Sequence, residues 1–161
     1  MRYRYEAIEE WLEALPMWKE HVELLQTQLS HLPGLTQRLE LVNVHGERQK
    51  VDHVLNEVIR RIRIQEEELP FWEMRVHLLE QAVARLQELD RQFVELRYIK
   101  RLDSRRMMER FHLSHSVFYR KRQEILRQLY LAVGGDQSIL WVEHQESGIG
   151  SCAIFSCAKL S

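Results

Sequence analysis

Cysteine, proline and glycine are all scarce in this 161-residue chain, and each scarcity excludes something. The two cysteines, Cys152 and Cys157, both fall in the last ten residues. No disulfide can therefore frame a core, and a cytoplasmic protein is expected. Three prolines and six glycines leave few places for a regular backbone to break. No apolar run approaches the ~20 residues that a bilayer-spanning helix needs. The opening MRYRYEAIEEWLEALP has acids inside its only apolar stretch, which argues against a signal peptide. Catalytic chemistry is missing too: there is no nucleophile–base pair, no metal-ligand cluster and no phosphate-cradling glycine loop. His112 and His115 stand three apart without a third ligand nearby, and the two cysteines lack neighbouring ligands, so neither an enzyme nor a metal or other cofactor is expected.

What is present is charge and helical periodicity. With 45 % apolar and 29 % charged residues, the composition is that of a globular protein with a helical bias. The net charge of −1 conceals a segregation. Residues 1–90 carry 11 Lys and Arg against 17 Asp and Glu, residues 91–127 carry 11 against 4, and the remainder carries one against three. A +7 block between acidic flanks is the footprint of a nucleic-acid module attached to a scaffold.

The scaffold reads as helices. Residues 3–31 are helical, and Pro16 is expected to divide them in two because an interior proline forfeits a hydrogen bond. Beyond it Trp18, Val22, Leu25, Leu29 and Leu32 recur by fours and threes. Pro33-Gly34 ends the segment, and residues 34–49, including the polar Asn43–Lys50, read mostly as loop. A second stripe runs Val51, Leu55, Val58, Ile62, Gln65 and Leu69, with Pro70 kinking or restarting the helix. A third runs Trp72, Val76, Leu79, Val83 and Leu86. The seams bury on one another in an antiparallel bundle or hairpin, or pair between chains.

Residues 89–133 carry the functional signal. Asp90 is expected to cap a helix through Tyr98, with Phe93, Leu96 and Tyr98 facing a small core. Asp103 or Ser104 caps the next helix, to about Phe111, which buries Met107, Met108 and Phe111 and turns Arg105, Arg106 and Arg110 outward. His112-Leu113 makes the turn, Leu113 enters the core, and Ser114 caps a helix from His115 to about Ala132. Phe118, Ile125, Leu129 and the stem of Arg122 pack inward. The outward first two turns offer His115, Ser116, Val117, Tyr119, Arg120 and Arg122, residue types that bond base edges, touch thymine methyls or neutralise phosphates. Ser116, Tyr119 and Arg120 are the expected base-reading cluster; Lys121, Arg105 and Arg106 are the expected phosphate contacts. After Gly134-Gly135 the helical stripes stop. Ile139–Val142 has the makings of a short strand, and residues 136–161 read as a poorly ordered tail.

This stretch resembles the carboxy-terminal DNA-binding region of bacterial sigma factors, through Leu89, Phe93, Val94, Leu96-Arg97-Tyr98, Met107, Met108, Phe111, Leu113-Ser114 and Val117–Arg122. It is closer still to phage transcriptional regulators of the ArpU type and the related RinA-type activators, matched at Leu89-Asp90, Phe93, Leu96-Arg97-Tyr98, Ser104, Leu113-Ser114, Phe118-Tyr119-Arg120, Arg122 and Ile125-Leu126. The strong part covers about 45 residues. The chain departs from the pattern at His112, where glycine is usual, at Met108, where alanine is usual, and beyond Gly135. The resemblance implies an all-α chain: a helical scaffold over 1–88 capable of self-association, a sigma-like helix-turn-helix over 89–133, and an appended tail over 134–161. It implies a late-gene regulator encoded by a phage or prophage, with double-stranded DNA and RNA polymerase as partners; the helical stripes add a homodimer or higher oligomer as an expected partner state. Two other readings stand beside it: a phage small terminase subunit recognising packaging DNA, and a helical interaction protein that binds no DNA.

Overall fold

The structure, a computed structural model, describes residues 2–31 and 48–142. Leu32, Pro33-Gly34, most of the expected 34–49 loop and both cysteines lie outside the described residues, as does the tail beyond Val142. The chain is all-α. Six helices are described: α1 (Arg2–His31), α2 (Arg48–Arg63), α3 (Leu69–Ala84), α4 (Glu88–Val94), α5 (Ser104–Phe111) and α6 (His115–Ala132).

Pro16 does not divide α1, which runs unbroken through it. The proline forfeits one bond to the preceding turn, but Leu12, Leu15 and Trp18 on either side are all buried and hold the helix against its neighbours. Along α3 the antiparallel register is fixed by Gln26, whose Nε2 donates to Glu73 at 3.0 Å, by the Lys19–Glu80 ion pair and by Trp18 against Trp72. Arg75 is buried on this seam with its guanidinium 4.7 Å from the Trp18 ring centre, and it donates to the Val142 carbonyl at 2.8 Å. Burial pulls its pKa below the usual arginine value.

The second sequence stripe does not join this seam. A wide turn over Ile64–Glu68, in which the Leu69 amide bonds the Ile64 carbonyl, separates α2 from α3. Such a turn adds one residue to the spiral and rotates what precedes it by about 100°. Ile64 therefore takes the buried position at 2 % exposure, while Leu55, Ile59 and Ile62 remain 54 %, 46 % and 46 % exposed. Pro70 then falls in the first turn of α3, where its missing N–H costs nothing.

One core runs through both halves of the chain. Ile8, Leu12 and Leu15 of α1 share it with Leu79 of α3, Phe93 of α4, Met107 of α5, and Phe118, Ile125 and Leu129 of α6. Residues 134–142, expected to be part of a loose tail with a strand in it, are instead two packed 3₁₀ turns, Gly135–Gln137 and Ile139–Trp141. Leu140 enters the core, and Trp141 meets Trp11 edge-on at 4.7 Å. A strand needs a partner for its backbone groups, and among the described residues there is no other strand.

Candidate nucleic-acid interface

The candidate surface is built on α5, the turn 112–114 and α6, and the chain folds there for local reasons. Asp103 has an extended backbone, and its carboxylate accepts from the Arg106 amide at 2.8 Å. That caps α5 and satisfies one of its free N–H groups. His112 ends α5 in the left-handed region at φ 52°, ψ 43°, and the Leu113 amide bonds back to the Met108 carbonyl at 2.9 Å. Glycine is the usual residue here; histidine is among those that tolerate the conformation better than most. Ser114 is extended, as a helix-capping residue should be, but its side chain makes no capping bond. Its hydroxyl lies 3.5 Å from that of Ser116.

The two helices are seated by aromatic packing. Phe93 of α4 lies 5.7 Å from Phe111 of α5 and 5.5 Å from Phe118 of α6, ring centre to ring centre. Between α4 and α5 a second wide turn, Glu95–Ile99, is closed by the Lys100 amide bonding the Glu95 carbonyl at 2.9 Å. Asp90 does not cap the first of these helices. Gln87 holds the capping position, and Asp90 is buried one turn in, where its carboxylate pairs with Lys121 at 2.5 Å. A carboxylate in the first turn also suits the positive end of the helix.

On α6, His115, Ser116, Tyr119 and Arg120 are solvent-facing, with Tyr119 at 38 % exposure and its ring 4.6 Å from that of His115. Val117 and Lys121 are half-buried. Arg120 has no ion-pair partner among the described residues. Arg105 and Arg106 of α5 are exposed as expected, Arg105 sharing its charge with Glu109 at 3.2 Å.

Arg122 lies elsewhere. It turns toward α1 and donates to both carboxylate oxygens of Glu9, Nε to Oε1 at 2.6 Å and Nη2 to Oε2 at 2.5 Å. The Tyr98 hydroxyl donates to the same Glu9 Oε1 at 2.5 Å. Glu9 thereby holds the Arg122 guanidinium above its ordinary pKa, chiefly through these bonds. Burial, then the Glu9 carboxylate, keeps the Tyr98 hydroxyl above the usual tyrosine range. This network closes α1 onto α6 and removes Arg122 from the outer surface. Nothing in the sequence pairs position 9 with 122, because the two are 113 residues apart.

Two basic residues missed in the sequence complete the surface. Arg127 is exposed seven residues after Arg120, two turns along the same helix row, a spacing legible in the pattern. Arg101, exposed at φ 54°, precedes α5. An open groove of about 490 Å³ runs along α6, lined by Arg120, Gln123, Glu124 and Arg127 and by Tyr5 of α1. Among the described residues no three His, Cys, Asp or Glu side chains group so as to hold a metal ion. Searches of family models, curated proteins and solved structures find nothing that matches this chain.

Proposed function

We propose that the chain is a sequence-specific, double-stranded-DNA-binding regulator of transcription, with α5 and α6 acting as a helix-turn-helix and α6 as its reading helix. The observation that carries this reading is the first two turns of α6: they are seated from behind by Phe118, yet leave Ser116, Tyr119 and Arg120 facing solvent together. A helix presented in this way fits the major groove, where Arg bonds guanine and Ser or Tyr bonds base edges or backbone. Arg105, Arg106, Arg101 and Arg127 are assigned to phosphates, with His115 and Val117 at the edge of the reading surface. Lys121 supports the surface through Asp90. The likeness of residues 89–126 to ArpU-type and sigma-type DNA-binding regions supports the same role and a phage or prophage setting, with RNA polymerase as the machinery regulated.

Selecting bound fragments from random DNA tests the reading directly. A defined motif should emerge, and Arg120→Ala should relax preference at one position within it. Recovery of no motif, or a variant with unchanged preference, would overturn the assignment.

A further inference from the structure

Tyr5 stands outside the helix-turn-helix, yet it lines the groove along α6 together with Arg120, Gln123 and Arg127. Its ring meets that of Tyr130 edge-on at 6.4 Å. Its hydroxyl, like the side chains of Arg120, Gln123 and Arg127, makes no hydrogen bond or ion pair among the described residues. Glu124, the acid in this lining, accepts from Gln128 one turn on at 3.2 Å, and Lys121 is neutralised by Asp90. The groove therefore presents a hydroxyl, an amide and two guanidiniums against one carboxylate. A negatively charged occupant rich in acceptor oxygens fits it.

Helical spacing joins this lining to the reading surface. Ser116, Arg120, Gln123 and Arg127 recur by four, three and four on one row of α6, eleven residues or about 16 Å from end to end. The major groove of B-form DNA is about 12 Å wide. With the first turns of α6 set on base edges, the row outruns that width, and its far end comes over the sugar–phosphate strand at the border. Tyr5 stands beside that far end, because its ring partner Tyr130 follows Arg127 by three residues. It is held there by Glu9, one turn further along α1, whose two bonds to Arg122 fix α1 against α6. We propose that the groove between α1 and α6 holds a phosphodiester group of the strand bordering the reading site, and that Tyr5 donates its hydroxyl to it. Tyrosine is among the side chains that bond phosphate oxygens in this way. The scaffold then touches DNA itself as well as seating the helices that do. The inference rests on the function proposed above and adds to it a contact from outside residues 89–133.

The test uses the full chain on its selected site, with single methylphosphonates replacing the phosphates that flank the motif, one at a time. Tyr5→Phe keeps the ring packing and removes only the hydroxyl. It should weaken binding by about 2- to 10-fold and leave the selected motif and the melting temperature unchanged. The salt slope should also stay where it is, because a neutral hydroxyl releases no counterion, whereas Arg127→Ala should make it shallower by about one unit. At one flanking position the methylphosphonate should weaken the unsubstituted protein and have a smaller effect on Tyr5→Phe. Undiminished affinity in Tyr5→Phe overturns the proposal, as does a loss tied to no single phosphate. A lowered melting temperature assigns the hydroxyl to the fold and overturns it too. If the protein selects a motif that Arg120→Ala relaxes while Tyr5→Phe changes nothing, this inference alone fails. If the unsubstituted protein binds no DNA, the function proposed above fails and takes this contact with it.

Discussion

Arg120 and Arg122 share a helix and a chemistry, and two positions separate their roles. A step of two residues turns an α-helix by about 200°, so one guanidinium points to solvent and the other to α1. Their alanine substitutions should therefore read out on different instruments. Arg120→Ala should change stability by less than about 0.5 kcal/mol, as exposed substitutions usually do, and weaken specific DNA binding by about 1–3 kcal/mol, as loss of a base contact does. Arg122→Ala should leave Glu9 mostly buried with half its partners gone. Its cost, measured by chemical unfolding, should be about 2–3 kcal/mol, somewhat below the ~3–5 kcal/mol of a fully buried pair. The Tyr98 hydroxyl in the same network sets a pH dependence. In the unfolded chain it ionises near 10, while burial and Glu9 keep it protonated in the fold above that value. The unfolded state then holds fewer protons, and stability falls as pH rises past about 10, by up to about 1.4 kcal/mol per pH unit for one group. Tyr98→Phe should remove that share of the alkaline slope, although it lowers stability at neutral pH.

Among the elements, those with local causes were legible and those with distant causes were not. The bounds of α5 and α6, the Asp103 cap and the left-handed turn at His112 all follow from residues within one or two turns of each other. Pro16 misled because a proline's local penalty is smaller than the burial of Leu12, Leu15 and Trp18 around it. The stripe from Leu55 to Leu69 misled because helical spacing assumes a uniform spiral, and one extra residue in the 64–68 turn shifts its phase. Asp90 looked like a cap and proved to be the buried partner of Lys121, a contact between elements that no local pattern announces. The turn at His112 is also where the fold is most easily improved. His112→Gly removes the steric cost of a Cβ at positive φ, and unfolding measurements should give a gain of about 0.5–1 kcal/mol. Single-site DNA affinity should not move, because the backbone already has the conformation glycine prefers.

For the whole molecule, the quantity that matters is not the +7 of residues 91–127 but the part of it left facing solvent. That block contains eleven Lys and Arg residues. Arg91 is paired with Glu88, Lys100 with Glu95, Lys121 with Asp90 and Arg122 with Glu9, and Arg97 donates to the Leu102 carbonyl. Of the other six, Arg110 is exposed, Arg120 is the one assigned to a base, and Arg101, Arg105, Arg106 and Arg127 are those assigned to phosphates, Arg105 also sharing its charge with Glu109. Each cation that neutralises a phosphate releases a condensed counterion, so the logarithm of affinity falls with the logarithm of salt by about 0.9 per contact. With Arg120 given to a base, these four phosphate contacts predict a slope of about −3.6, which is roughly 150-fold between 50 and 200 mM salt. Had all eleven been free, the slope would approach about −10 and the loss would be thousands of times larger. Titrating binding to the selected site across that salt range measures the slope directly. Arg106→Ala should make it shallower by about one unit, whereas Arg122→Ala, once corrected for its loss of folded protein, should leave it unchanged. A slope near zero, or equal responses to the two substitutions, would show that these arginines do not meet a phosphate backbone.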